Sequence, residues 1–133
     1  VNLLHAVSRS EETRKTFEGV DIPKAYDRYL QYLALIQKYP DRNFAPTKDI
    51  DLMWHVHMLH PRNYHEDCQR LFGDILDHDG GFGEAPEERP ELERIFAETA
   101  QLWQQEYGMP YENGVDCRRN CSSRCTKCRR RSP

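Results

Sequence analysis

The chain has 133 residues and a net charge of −3, with 38% hydrophobic and 31% charged residues and a mean hydropathy of −0.91. That composition suits one domain with a modest core and polar segments left outside it. No apolar run approaches the ~20 residues of a membrane-spanning helix, and residues 1–15 lack a signal-peptide pattern, so a cytoplasmic location is expected.

The charge is unevenly spread. Residues 115–133 hold seven basic side chains against one acid, Asp116, so this stretch carries about +6 and residues 1–114 about −9. Such asymmetry suggests two jobs for two parts. Cysteine divides the same way: Cys68 stands alone in the acidic body, while Cys117, Cys121, Cys125 and Cys128 crowd the basic tail.

In chain order, residues 1–17 read as one weak amphipathic helix on Leu3, Leu4, Val7 and Phe17, ending near Gly19. Asp21-Ile22-Pro23 is a helix start, with a capping acid and a proline in the first turn. The spacing of Ala25, Tyr26, Tyr29, Leu30, Leu33 and Ile36 then predicts a helix that stops before Tyr39-Pro40. A loop follows to Pro46. Thr47 or Asp49 can cap a third helix from Ile50 to about His60, and Pro61 either kinks it or opens a fourth. The segment 61–72 closes at Gly73, a turn-rich loop spans 74–88, and Pro90 to Tyr107 forms a last strong helix. The expected fold is all-α: a compact bundle of about five helices over residues 1–110, followed by a Cys/Arg-rich tail over 111–133.

Chemistry concentrates between Asp49 and His65, which holds four histidines beside Trp54. At 100° per residue, Asp51 and His55 lie about 40° apart, His57 and His60 about 60° apart, and His55 and His57 about 160° apart. Two pairs result, Asp51 with His55 and His57 with His60, and Tyr64 extends the second if the helix continues past Pro61. Either pair could supply two ligands to a divalent metal, with His78 the best remote third. Zinc, iron, manganese and copper all suit His and carboxylate donors. Asp51, His55 and Tyr64 are the candidates for orienting or transferring a proton if the site is catalytic. The competing reading is structural, with Trp54 as a core anchor and an Asp–His pair that only hydrogen-bonds beside it. The zinc-protease spacing HExxH is absent, and Cys68 reads as a small buried hydrophobe.

The tail motif is C-x3-C-x3-C-x2-C. Four close thiolates could bind zinc or copper(I), with neighbouring arginines lowering their pKa, or could form local disulfides in an oxidising compartment. Arg129, Arg130 and Arg131 add a weak nucleic-acid or acidic-partner signal. Two functions therefore stand side by side: a small metal-binding protein or metalloenzyme, and a non-enzymatic interaction module whose tail binds an acidic protein, nucleic acid or metal.

Asp51, Trp54, His55, His57, Pro61 and Tyr64 occur in the order D-x-x-W-H-x-H-x-x-x-P-x-x-Y, followed by Asp67-Cys68 and His78-Asp79. This pattern resembles the glycine-rich domain-containing protein-like family over roughly residues 22–107. The resemblance implies an α-helical domain in which Asp51, His55, His57, Tyr64 and His78 form a site. It also implies a Gly- or Cys-rich C-terminal extension, here rich in arginine instead.

Overall fold

A computed structural model describes residues 2–112 with side chains and the backbone of residues 123–127. Six helices are present among them: α1 (Leu3–Ser8), α2 (Glu11–Thr16), α3 (Ile22–Lys38), α4 (Lys48–Met58), α5 (Pro61–Phe72) and α6 (Arg89–Tyr107). Strand β1 (Leu76–Gly80) pairs antiparallel with β2 (Ser123–Lys127). The fold is all-α apart from this two-stranded ribbon, and no described helix is long and apolar enough to cross a membrane.

The single N-terminal helix expected over residues 1–17 is two. Ser10 breaks it because its side chain accepts from the Thr13 N–H at 3.3 Å. Glu11 and Glu12 then sit in the new first turn, where the helix dipole favours acids. At α3 the expected start holds: Asp21 accepts from the Lys24 N–H at 3.1 Å, and Pro23 lies in the first turn. Pro61 opens a fresh helix rather than kinking the old one, with His60 at its N-cap position. Gly73 ends α5 at φ +78°, where a side chain would be strained.

Helix α4 sits at the centre. Seven of its eleven residues are buried, among them Ile50, Met53, Trp54 and Val56, so the helix is enclosed on most of its circumference. The core around it is aromatic, with Tyr29, Tyr32, Phe44, Trp54 and Trp103 all fully buried. Tyr111, past the end of α6, also packs inside and donates to the Ala45 carbonyl at 2.8 Å.

The start of α4 departs from the capping expectation. Thr47 takes the N-cap position but makes no side-chain cap bond, and Asp49 is not a cap. Both are turned inward onto Arg28 of α3. Arg28 Nε meets Asp49 Oδ2 at 2.7 Å, and its Nη2 donates to Thr47 Oγ1 at 3.0 Å and to the Tyr111 carbonyl at 2.9 Å. Thr47 in turn donates to Asp49 Oδ1 at 2.6 Å. The guanidinium lies 5.0 Å from the Trp103 ring centroid, a cation–π distance.

Residues 76–80, expected as loop, form β1. Its outer hydrogen-bonding edge is completed from the far end of the chain, and acidic Asp79 stands in register with basic Arg124.

Two outcomes follow from this packing. Arg28→Met or Asp49→Leu alone strands a buried charge and should cost about 3–5 kcal/mol. In urea unfolding the double variant should recover much of that loss, and equal additive losses would refute the pairing's role. Gly83 has φ +98°, and a β-carbon there would overlap the Leu92 side chain. Gly83→Ala should therefore lower stability by about 1–3 kcal/mol, read as a reduced Tm with unchanged helical circular dichroism.

Candidate metal centre

Three side chains from two elements converge beside the centre of α4. Asp51 and His55 lie one helical turn apart on its face, as the wheel requires, and His78 projects from β1. His78 Nε2 is 2.7 Å from Asp51 Oδ1 and 3.1 Å from His55 Nε2, and His55 Nε2 is 3.5 Å from Asp51 Oδ2. The three could hold a metal ion, since one donor atom from each lies within 4.8 Å of the others. Asp51 is buried, His78 half-buried, and His55 exposed, so the cluster has a protected floor and one open side.

The supports are aromatic and hydrogen-bonded. The Trp54 ring packs against His78 with centroids 4.4 Å apart at 70°. Trp54 Nε1 donates to the Tyr64 hydroxyl at 2.8 Å, and that hydroxyl donates to the Leu76 carbonyl at the start of β1. Tyr64 is thus buried and occupied in tying α5 and Trp54 to the strand that carries His78. It lies behind the cluster.

His57 points elsewhere, as expected for a residue about 160° around the helix from His55. Its Nδ1 is 2.7 Å from the Tyr29 hydroxyl, and its Nε2 is 2.8 Å from Asp67 Oδ2. Burial pushes the His57 pKa down, against the opposing pull of the Asp67 hydrogen bond and charge. Burial also works to raise the Asp67 pKa, but hydrogen bonds from His57 and Arg70 outweigh it and the net shift is downward. A neutral imidazole beside a carboxylate then has one consistent tautomer: Tyr29 donates to Nδ1, and Nε2–H donates to Asp67. Arg70 closes the chain on Asp67 Oδ1 at 3.2 Å. This relay lines a cavity of about 250 Å³ with Tyr26, Leu30 and Leu33.

His60, the other member of the expected second pair, donates through Nδ1 to the Val56 carbonyl at 2.9 Å. The structure therefore joins Asp51, His55 and His78, while His57, His60 and Tyr64 lie outside that cluster with other partners. Cys68 is buried in the core. Cys117, Cys121 and Cys128 lie outside the described residues, and Cys125 is described only as a backbone position in β2.

Sequence reasoning missed Asp67 as the partner of His57. The two are ten residues apart across the break at Pro61, so no single-helix projection relates them. Tyr29 stands on the apolar stripe of α3, where periodicity alone gives no sign of its hydroxyl's contact with His57.

The profile of the family described as glycine-rich domain-containing protein-like matches residues 2–67, from α1 to the middle of α5. His78 lies beyond that match. Two curated proteins of Arabidopsis thaliana are similar over 111 residues: glycine-rich domain-containing protein 1 at 32% identity and glycine-rich domain-containing protein 2 at 31%. Each alignment covers 80% of this chain but only 13% and 14% of the respective relative, so the chain spans about an eighth of their length. No solved structure matches. On the profile match and these two relatives, the chain belongs to the glycine-rich domain-containing protein-like family.

Proposed function

We propose that this chain is a metal-binding module in which Asp51, His55 and His78 hold one divalent cation. The observation that carries this reading is the convergence of two imidazole nitrogens and one carboxylate, with His78 Nε2 2.7 Å from Asp51 Oδ1 and 3.1 Å from His55 Nε2, and His55 Nε2 3.5 Å from Asp51 Oδ2. Tetrahedral zinc with bonds of about 2.0–2.1 Å would set its ligand atoms about 3.3 Å apart. A single proton on His78 Nε2 serves the Asp51 contact but leaves His55 Nε2 facing the same spot. A cation satisfies all three donors together.

Two imidazoles and a carboxylate suit zinc, iron or copper, and three protein donors leave a coordination position open on the exposed His55 side. A bound metal of this kind can lower the pKa of a coordinated water. The protein's own contribution is placement. Trp54 holds the His78 ring, and Tyr64 acts through Trp54 and the Leu76 carbonyl as a positioning residue. In this reading Asp51 serves as a ligand rather than a free general base.

Zinc added to the chelator-treated full chain should bind with one-to-one stoichiometry by calorimetry. At a hundredfold excess over Kd it should stabilise the fold by about 2.7 kcal/mol, seen as a raised Tm. Asp51→Asn, His55→Ala and His78→Ala should each abolish or sharply weaken binding, whereas His60→Ala should leave it intact. The reading fails if zinc, iron and copper all leave Tm unchanged, or if His60→Ala removes the metal and His55→Ala does not.

A further inference from the structure

A second polar feature, which shares no residue with the metal cluster, lies on α3. Lys24, Asp27, Arg28 and Gln31 form one stripe of that helix, three and four residues apart. They line a cavity of about 530 Å³ whose other wall is Met109 and Pro110. Both walls are fixed. Tyr107 donates to the Gln31 carbonyl at 2.7 Å, Gly108 turns the chain at φ +68°, and the Tyr111 carbonyl accepts from Arg28 Nη2 at 2.9 Å.

Arg28 is the unusual member of this stripe, because it is only 5% exposed. Three of its five N–H groups are committed, Nε to Asp49 and Nη2 to Thr47 and the Tyr111 carbonyl. The two on Nη1 have no partner among the described residues and are not sealed from solvent, so the small exposed part of Arg28 opens on the cavity it lines. Solvent satisfies them in the free protein. The guanidinium is held in place, with the Trp103 and Tyr111 ring centroids 5.0 and 5.7 Å from its carbon. An incoming acceptor therefore meets donors that need no ordering on binding.

We propose that this cavity binds a small organic carboxylate, whose oxygen accepts from Arg28 Nη1 and whose apolar body lies along Met109 and Pro110. The volume, and a few placed polar groups beside an apolar wall, are those of a small-molecule pocket. Arg28 already pairs with Asp49, and exposed Lys24 on the same stripe adds a positive charge for the ligand. Asp27 sets a limit on that attraction. Its carboxylate lines the same cavity and repels a second negative charge, which selects a monoanion over a phosphate dianion.

Phenylpropionate is the probe, with phenylpropanamide as its uncharged twin and phenyl phosphate as the dianion. Titrated into the isotope-labelled full chain at neutral pH, the acid should shift backbone amides of the cavity-lining residues of α3 and of Met109. It should bind at least about tenfold more tightly than the amide, the difference expected of a hydrogen bond between charged groups. Phenyl phosphate should bind more weakly than the acid, and Asp27→Asn should narrow that gap. Lys24→Ala should weaken the acid and leave the amide unchanged. Arg28→Lys removes Nη1 and should abolish the preference for acid over amide. Because that change also disturbs a buried pair, Gln31→Glu serves as the second variant: it puts another carboxylate into the cavity and should abolish acid binding with unchanged circular dichroism. Equal affinity for acid and amide, shifts confined to residues outside this cavity, or no saturable shift with the acid would overturn the proposal. Phenyl phosphate binding more tightly than the acid would overturn the carboxylate as ligand.

Discussion

The buried pair of Arg28 and Asp49 is the constraint on which the rest of this structure depends. Two charges removed from water are costly, and their attraction offsets the cost only when every remaining donor and acceptor is satisfied. Here the requirement is met by Thr47, by the Tyr111 carbonyl and by the Trp103 ring, which together draw in α3, the entry to α4, the far end of α6 and the segment after it. Replacing any one partner would leave another uncompensated. The pair is therefore specific in a way that apolar packing is not.

That specificity sets the rotation of α4. With Asp49 directed at Arg28, Asp51 must face about 160° away, toward His78, and His55 follows one turn later. His57 is carried to the opposite side, where Tyr29 and Asp67 await it. Besides Asp49, one short helix thus presents two further polar groups to two different neighbours, and Trp54 separates them within the core. The two groups have unlike chemistry. Around His57 each donor faces an acceptor, which makes a closed relay. Around His78 two imidazoles and a carboxylate crowd together, a group that could hold a metal ion.

The strand carrying His78 is short and marginal as a secondary element, since a lone two-stranded ribbon has little stability of its own. It is held instead by the Tyr64 hydroxyl on the Leu76 carbonyl, by Trp54 against His78 and by its register with β2. The stretch D-x-x-W-H-x-H-x-x-x-P-x-x-Y over residues 51–64 reads as a physical sentence on this basis. The acid and first histidine face the cluster, the tryptophan and tyrosine brace the strand, the second histidine anchors α3 and α5, and the proline starts the helix that delivers the tyrosine.

Much of this is legible in the residues themselves, because it depends on local signals. The starts of α3 and α5, the glycine stop after α5, the apolar stripes of α3 and α6, and the separation of Asp51–His55 from His57 all follow from propensity, capping and a 100° period. The break at Ser10 is equally local, a serine followed by two acids, but the apolar spacing of Leu3, Val7 and Phe17 masks it. What the tertiary structure alone decided involves residues that no period connects. Asp49 could cap its own helix or pair with a distant arginine, and only the burial of both makes the second arrangement favourable. His57 meets Asp67 across a helix break, and β1 gains its partner from the far end of the chain. Nothing in an isolated turn-rich segment demands extended backbone, whose hydrogen bonds must be supplied by another strand. The sequence determined which faces its helices would bury; how those faces met, and so which of its histidines share a site, was settled by packing.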